Sequence, residues 1–303
     1  MTEKYFVNNS LKIYYDVYKS ENPKGILQVV HGAIEHGRRY KDFAKHLSNN
    51  GFTVYVIDLR GHGRSVNGKF HYLSDDNDGW NLYIEEVNKL RRIIEEEYPD
   101  KPIFLMGHSM GSFIVRDYIS KHRELSGVIL SGTATTPMLT INSAIALTTL
   151  MNLLMDKSKK SKFVHNLIFG ALGKKAKKLG YESFISRDEK VVKAYKEDPL
   201  SDQLITLDYG MQFARGLKNI EKKNAFTNTP DQPIYLFSGE LDPVGGKKCD
   251  GVMKVYKRFI NNGKTDIEMK IYDDALHEMI NELNKDEVYN DILIWLNKRL
   301  KTT

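Results

Sequence analysis

The chain has 303 residues, 41% hydrophobic and 11% aromatic, enough to bury the core of one large domain or two small ones. Its 45 basic and 39 acidic residues leave a formal net charge of only +6. No recognised module interleaves basic with aromatic residues, so we expect no nucleic-acid partner. The single cysteine, Cys249, excludes an internal disulfide and is typical of a reducing compartment.

The first residues lead into no apolar stretch, which argues against a secretory signal. The longest nearly apolar run, residues 143–155, is too short and too polar to span a bilayer. We therefore predict a cytoplasmic protein whose contact with a membrane, if it has one, is peripheral.

Short apolar runs alternate with helical patterns along the first half of the chain. A loop rich in glycine and polar residues, 60–78, interrupts this alternation once. The predicted strands are residues 11–18, 26–30, 53–57, 103–106 and 127–130, and the predicted helices are residues 40–47, 82–98 and 110–121.

After Pro137 the alternation stops, and residues 141–215 show helical spacing without a convincing strand. It resumes with predicted strands at 234–237 and 267–272 and predicted helices at 252–260 and 286–300. Short apolar strands separated by helices predict an α/β fold with a mostly parallel sheet covered on both faces. We expect a core formed by residues 1–136 and 216–303, with residues 137–215 as a helical cap over the carboxyl edge of the sheet, where ligands bind in such folds.

A serine between two glycines follows the predicted strand 103–106, in the pattern Gly107-x-Ser109-x-Gly111. Glycine weakens a strand, so two glycines there indicate a turn too tight for Cβ atoms. The pattern fits a nucleophile elbow, a sharp strand-to-helix turn that exposes a serine. By itself it is common by chance, and its context has to decide.

A nucleophilic serine needs a base and an acid that orients the base, in the chain order Ser, Asp or Glu, His. Asp242 follows the strand 234–237, and His277 follows the strand 267–272. Glu240 is an alternative acid, but Asp242 lies farther into the loop, before a stiffening proline. We therefore predict the triad Ser109, Asp242 and His277. The lone histidines in other loops are expected to be structural: His36, His62 and His108.

With these motifs the sequence resembles the α/β-hydrolase superfamily, specifically the monoacylglycerol lipase and lysophospholipase group of serine hydrolases. The matching motifs span nearly the whole chain in the expected order, at residues 31–36, 58–65, 107–111, 238–244 and 277–278. Ser186-Arg187-Asp188 and Asp198-Pro199-Leu200 also resemble cap motifs of this group.

The serine mechanism needs N–H donors for the oxyanion. The backbone N–H of Met110, at the start of the helix after Ser109, is one expected donor. The resemblance implies a second at Ala33. It also implies a small-molecule acyl ester substrate and an acyl-enzyme intermediate.

Other polar motifs are predicted to be structural. Residues 58–65 are rich in glycine and charge, but no phosphate-binding motif accompanies them, so we expect a turn braced by Asp58 and Arg60. We expect Glu35 and His36 to brace their loop, and Cys249, near Asp242 in sequence, to be an inert thiol. No cluster has metal-ligand spacing, so we expect neither a metal nor a cofactor.

Residues 141–155 are almost entirely apolar, and lysines follow closely at 157, 159, 160, 162, 174, 175, 177 and 178. A lone surface helix seldom needs so wide an apolar face. Two interpretations stay open: the helix packs over the active site, or it makes transient contact with an anionic lipid or micelle surface. An exposed apolar cap could also form a dimer contact, so the oligomeric state stays open.

The leading hypothesis is a serine carboxylester hydrolase that cleaves single-chain lipid esters, monoacylglycerol or lysophospholipid. A second keeps the triad in a short-chain esterase, an aminopeptidase or an amidase. A third is a non-catalytic lipid-binding module on the same fold, because a fold does not determine function. The filled triad positions argue against the third.

Overall fold

The structure, a computed structural model, describes residues 1–66, 68–73, 78–122 and 125–300. Residues 67 and 74–77 of the predicted loop 60–78 lie outside this description. The strands are β1 (Thr2–Asn8), β2 (Leu11–Tyr18), β3 (Gly25–Val30), β4 (Phe52–Ile57), β5 (Ile103–His108), β6 (Gly127–Ser131), β7 (Ile234–Gly239) and β8 (Ile267–Tyr272). They form one sheet in the order β1-β2-β4-β3-β5-β6-β7-β8.

The predicted mostly parallel sheet is confirmed. Strands β4, β3, β5, β6, β7 and β8 pair in parallel, whereas β2 pairs antiparallel with both β1 and β4. The five strands from β3 to β7 are buried along their whole length, as their apolar runs predicted. The edge strand β1 was not predicted; its Tyr5 and Val7 are about half exposed.

Helices cover both faces of this sheet. The helices that pack on it are α1 (Lys41–Asn49), α2 (Gly79–Glu97), α3 (Met110–Ile119), α10 (Asp250–Asn261) and α11 (Lys285–Arg299). Alternate residues of β3 point to opposite faces. Leu27 and Val29 belong to the core with α1 and α11, and Ile26 and Val30 to the core with α2, α3 and α10. Every helix predicted for the core is present, within a few residues of its predicted bounds.

The chain between β6 and β7 is helical, as predicted. Its helices are α4 (Met138–Leu154), α5 (Lys162–His165), α6 (Ala171–Lys178), α7 (Glu189–Glu197), α8 (Leu207–Glu221) and α9 (Lys223–Thr227). The apolar helix α4 packs along α8 and buries Ile141 and Thr148, but it leaves Leu153 and Leu154 more than three-quarters exposed. Helix α8 continues past residue 215, the predicted end of the cap.

The two glycines around Ser109 allow α3 to start against the end of β3. A Cβ atom on Gly111 would lie 2.2 Å from the carbonyl oxygen of Val30 and 2.5 Å from that of His31. A Cβ atom on Gly107 would lie 2.3 Å from the carbonyl oxygen of Gly111. All three contacts are with backbone atoms, so no side-chain rotation could relieve them. The glycines are therefore required by close backbone approach.

We expect Gly111→Ala to lower the free energy of unfolding by about 3 kcal/mol or more, because the added methyl group must push α3 away from β3. Gly173→Ala is the matched control. Gly173 lies in α6, where a Cβ atom would meet nothing within 4 Å, so we expect a gain of about 0.5–1 kcal/mol. Urea unfolding of both variants measures this difference. Equal stability of the two would contradict the close approach.

Candidate active site

Ser109 lies in the turn between β5 and α3 with φ 51° and ψ −121°. A positive φ is unfavourable for a residue that carries a side chain, and such strain clusters at functional sites. Surrounding hydrogen bonds hold the turn: Ser109 N donates to Ser131 O at 2.8 Å, and Ser112 N donates to Ser109 O at 2.8 Å. The turn places Ser109 in the wall of two cavities at the carboxyl edge of the sheet.

The predicted acid and base are in contact. His277 Nδ1 lies 2.9 Å from Asp242 Oδ2, and both residues are buried. Asp242 is itself held, because its Oδ2 accepts from Ser238 Oγ at 3.0 Å and its Oδ1 accepts from Val244 N at 2.8 Å. The alternative acid, Glu240, instead accepts from a backbone N–H in the loop after β8. His277 and Ser109 line the same small cavity.

The surroundings of His277 favour its charged form. Burial alone would lower the pKa of His277, but the charge and hydrogen bond of Asp242 and the charges of Glu278 and Glu35 raise it above its ordinary value. Surroundings of this kind stabilise the imidazolium that forms when a histidine accepts the proton of a serine.

Both residues expected to supply oxyanion donors are near Ser109, Ala33 through the shared cavities and Met110 as its neighbour in the chain. Ala33 is in the loop after β3 and lines both cavities that Ser109 lines. Met110 is the first residue of α3, where backbone N–H groups have no partner within the helix. The Met110 side chain is buried and accepts a hydrogen bond from Tyr209 of α8, with Oη 3.0 Å from Sδ.

Glu35 braces the loop that carries Ala33, as the sequence predicted. Its Oε1 accepts from Gly32 N at 2.5 Å and from Tyr40 Oη at 2.9 Å. Its Oε2 accepts from Arg39 Nε at 3.1 Å, and Arg39 also donates to Glu278. A buried Glu–Arg–Glu bridge thus joins the loop after β3 to the loop that carries His277. His36 Nε2 lies 2.6 Å from Asp198 Oδ2 in the helical insert.

The motif at residues 58–65 forms a braced turn. Asp58 accepts from Gly37 N at 2.8 Å and from Arg64 Nε at 2.6 Å. Arg60 is buried and donates to Glu86 from both Nε and a terminal nitrogen. Asp58 and Arg60 are therefore both paired with other groups of the protein, which agrees with the prediction that this motif is a braced turn.

Cys249 is buried behind the loop that carries Asp242. Its thiol donates to Gly239 O at 3.3 Å, and burial together with nearby acidic charges, Asp242 first, raises its pKa to about 11. The thiol is therefore protonated at neutral pH, which agrees with the predicted inert role.

The two cavities that meet at Ser109 differ in size and character. The large cavity has a volume of about 670 Å³ and extends under the helical insert. None of the described residues that line it carries a charge; they include Phe113, Leu147, Ile168, Phe213 and Leu217. The small cavity, of about 40 Å³, is lined on its polar side by Glu35, Tyr195, His277 and Glu278.

Sequence reasoning missed several residues of this site. Phe184 and Tyr195 come from the helical insert and line the small cavity. The Phe184 ring lies 5.6 Å from the His277 ring, and the Arg39 guanidinium lies 4.7 Å from the centre of the Tyr195 ring. Only the motifs at Ser186–Asp188 and Asp198–Leu200 gave a signal in this stretch, and each begins two or three residues after one of the two aromatic residues without including it.

Nowhere in the described parts of the chain do three His, Cys, Asp or Glu side chains gather in a way that could hold a metal ion. Of the helices in the described ranges, none is long and apolar enough to cross a lipid bilayer.

Comparison with known proteins gives a consistent picture. A family model described as serine aminopeptidase, S33, matches residues 21–284. The monoacylglycerol lipase of Mycolicibacterium smegmatis is 29% identical over 300 residues, covering 96% of this chain and 94% of that protein. The monoglyceride lipase of Rattus norvegicus is 27% identical over 286 residues, covering 93% of this chain and 85% of that protein.

Solved structures share the fold. A thermostable carboxyl esterase from Bacillus coagulans, in complex with glycerol, superposes with a TM-score of 0.87 at 26% identity, covering 99% of this chain and 98% of that one. A soluble variant of the monoglyceride lipase of Saccharomyces cerevisiae, in complex with a substrate analogue, gives 0.76 at 23% identity, covering 99% and 96%. The predicted α/β-hydrolase fold is thereby confirmed.

Buried neutral histidines near the site predict acid sensitivity. Burial lowers the pKa of His31 to about 4 and of His71 to about 3, and lowers the pKa of His62 and His108 well below 6.5. Between pH 6.5 and about 4 the unfolded chain binds protons that the folded chain excludes, so stability present above pH 6.5 is lost as pH falls. His277, whose pKa is raised, opposes the other four.

We expect the free energy of unfolding to fall by up to about 1.4 kcal/mol per pH unit for each such histidine. His71→Phe should reduce this slope by about one proton, because phenylalanine does not titrate. Among the described residues neither ring nitrogen of His71 has a hydrogen-bond partner, so the substitution removes no hydrogen bond from this part of the structure. Urea unfolding at pH 7.5, 6.0 and 5.0 measures the slope. An unchanged slope in the variant would show that His71 protonates readily in the folded protein.

Proposed function

We propose that this chain, which belongs to the serine aminopeptidase S33 family, cleaves the ester bond of monoacylglycerols through Ser109, His277 and Asp242. Its family, its relatives and its α/β-hydrolase fold identify a carboxylic ester hydrolase. The observation that carries the finer proposal is the position of Ser109 between a large uncharged cavity and a small cavity that contains two carboxylates, those of Glu35 and Glu278.

In the proposed mechanism Ser109 Oγ attacks the ester carbonyl while His277 accepts its proton. Asp242 holds the imidazole through Nδ1 and stabilises its charge. The N–H groups of Ala33 and Met110 stabilise the oxyanion, each worth about 10²–10³ in turnover. His277 then donates the proton to the leaving alcohol, and water hydrolyses the acyl-enzyme by the same steps.

The large cavity suits an acyl chain. Its volume of about 670 Å³ is within the range of small-molecule sites, and its described lining is uncharged. An amidase that recognises a free amino terminus would need an acidic anchor beside the acyl group. The described residues that line the large cavity offer none, and the two carboxylates of the small cavity, Glu35 and Glu278, are already paired with Arg39. This lining favours a lipid acyl chain over an aminoacyl group.

The small cavity suits a small neutral alcohol. Glu35 and Glu278 can accept hydrogen bonds from hydroxyl groups, whereas a phosphate there would face two carboxylates that share one guanidinium. These features support glycerol over glycerophosphocholine as the leaving alcohol. They rank monoacylglycerol above lysophospholipid, the two substrates that the sequence left open.

We expect wild-type protein to hydrolyse long-chain monoacylglycerol faster than lysophosphatidylcholine, a short p-nitrophenyl ester or an aminoacyl amide. Ser109→Ala should lose more than about 10⁴-fold of this activity, because the nucleophile acts as a unit with its base. The measurement is kcat/KM for each substrate at equal detergent concentration.

The control is Ser120→Ala, which removes a hydroxyl at the other end of α3, where it bonds Asp117 O, and should leave turnover unchanged. Equal hydrolysis by Ser109→Ala and wild type would overturn the triad. Turnover of the aminoacyl amide alone would keep the triad and replace the substrate class.

We also propose that the helical insert contacts anionic lipid surfaces while the enzyme takes up substrate. Leu139, Leu150, Leu153 and Leu154 of α4 are each at least half exposed, and Phe163 lies nearby in sequence with similar exposure. The lysines that follow α4 in sequence are mostly exposed. An apolar surface next to cationic side chains favours binding to the interface of an anionic bilayer.

The double variant Leu153→Ser/Leu154→Ser should reduce binding to vesicles of phosphatidylserine and phosphatidylcholine by about tenfold or more. Cosedimentation measures the bound fraction. Ile294→Ser is the matched control, because Ile294 is two-thirds exposed on α11, outside the insert. A bound fraction that is equal in both variants would contradict this surface, as would vesicle binding that is indifferent to phosphatidylserine.

A further inference from the structure

Residues 184–202 lie in the insert that the sequence predicts to be a cap, but they contact the core on both sides of Ser109. We call them the bracket segment. One end contacts the histidine loop, residues 276–284, and the other contacts the oxyanion loop, residues 31–36. Both loops carry groups that the proposed mechanism uses.

The first end of the bracket segment pairs with the histidine loop through the backbone. His277 N donates to Phe184 O at 3.2 Å, and Glu278 N donates to Ile185 O at 2.6 Å. Ser186 Oγ donates to Asn281 O at 3.0 Å. The backbone of the predicted base is therefore held by the insert and not by the core sheet alone.

A single carboxylate fixes this contact. The Glu282 side chain is fully buried, and its Oε1 accepts from Arg187 N at 3.0 Å and from Leu276 N at 2.9 Å. Its Oε2 accepts from Arg187 Nε at 3.0 Å. Hydrogen bonds between charged groups are about twice as strong as neutral ones. Arg187 therefore ties the bracket segment to the residue that precedes His277.

The second end holds the oxyanion loop. Ile34 O accepts from Tyr195 Oη at 3.2 Å and from Asp202 N at 3.0 Å. Asp198 Oδ2 lies 2.6 Å from His36 Nε2. These contacts flank Ala33, the expected oxyanion donor, on its C-terminal side. One continuous segment thus fixes the loops that carry the base and an oxyanion donor.

We propose that the bracket segment positions the catalytic groups, with Arg187 and Asp198 as positioning residues that act through Glu282 and His36. The proposal rests on the proposed function, because it takes His277 as the base and Ala33 as an oxyanion donor. A displacement of about 1 Å in such groups costs about 10²-fold in rate. The expected defect is therefore in turnover and not in substrate affinity.

The first test compares Arg187→Gln with Arg187→Lys and Lys193→Gln. We expect Arg187→Gln to lower kcat on monoacylglycerol about 10- to 100-fold with KM within about threefold. Arg187→Lys should recover part of the loss, because lysine keeps one charged donor to Glu282. Lys193→Gln removes the same charge from the exposed face of α7, where Lys193 pairs only weakly with Glu197, and should leave kcat unchanged.

The rate at which a small fluorophosphonate labels Ser109 gives a second readout. This reaction uses the base and the oxyanion donors but not the acyl cavity, so labelling should fall in parallel with kcat. Absence of labelling in wild type, or equal labelling of Ser109→Ala, would refute the proposed function and not the bracket segment in particular. Labelling of wild type that is abolished in Ser109→Ala establishes Ser109 as the nucleophile on which the comparison of the Arg187 variants depends.

Asp198→Asn tests the other end and serves if Arg187→Gln does not fold. The amide keeps an oxygen for the hydrogen bond from Leu200 N but loses the charge opposite His36. We expect about a tenfold loss of kcat, again with KM nearly unchanged. Wild-type kcat in a folded variant at either end, or a loss confined to KM, would overturn the proposal.

Discussion

The close contact between Gly111 and the end of β3 is the constraint on which the active site depends. Because Gly111 has no Cβ atom, the start of α3 lies against the carbonyl oxygens of Val30 and His31. The chain immediately after β3 carries Ala33, and the chain immediately before Gly111 carries Ser109. One backbone contact therefore sets the distance between the proposed nucleophile and the loop of a proposed oxyanion donor.

Apolar packing holds the loops around this point on their core side, and polar contacts hold them on the side of the cavities. Loops that border two cavities cannot be covered by side chains without filling the space a substrate needs. Buried charges are costly unless they are paired, and here Arg39 pairs with both Glu35 and Glu278 and joins their loops. On the other side of His277, Glu282 pairs with Arg187 and so joins the histidine loop to the helical insert. Directional bonds thus provide rigidity where packing is excluded.

Much of the core could be predicted from local pattern, because buried parallel strands are short apolar runs and Asp242 and His277 follow two of them in the order the mechanism requires. The edge strand β1 could not, because half of it faces solvent and its charged residues hide the alternation. Helix α4 is apolar nearly all round, so no periodicity indicated which face packs on α8. Arg187 and Glu282 are 95 residues apart, and only the tertiary fold brings them together.

The difference between the two cavities also bears on the order in which the products of the proposed reaction leave. In the proposed reaction the alcohol leaves the small cavity, which His277 lines, while the acyl chain remains in the large apolar cavity. The vacated space contains polar side chains and lies beside the proposed base, so a water molecule that enters it finds both a hydrogen-bond partner and a proton acceptor. A released fatty acid, by contrast, carries a carboxylate into a site where Glu35 and Glu278 already supply negative charge. Electrostatic repulsion therefore favours departure of the acid product over its retention.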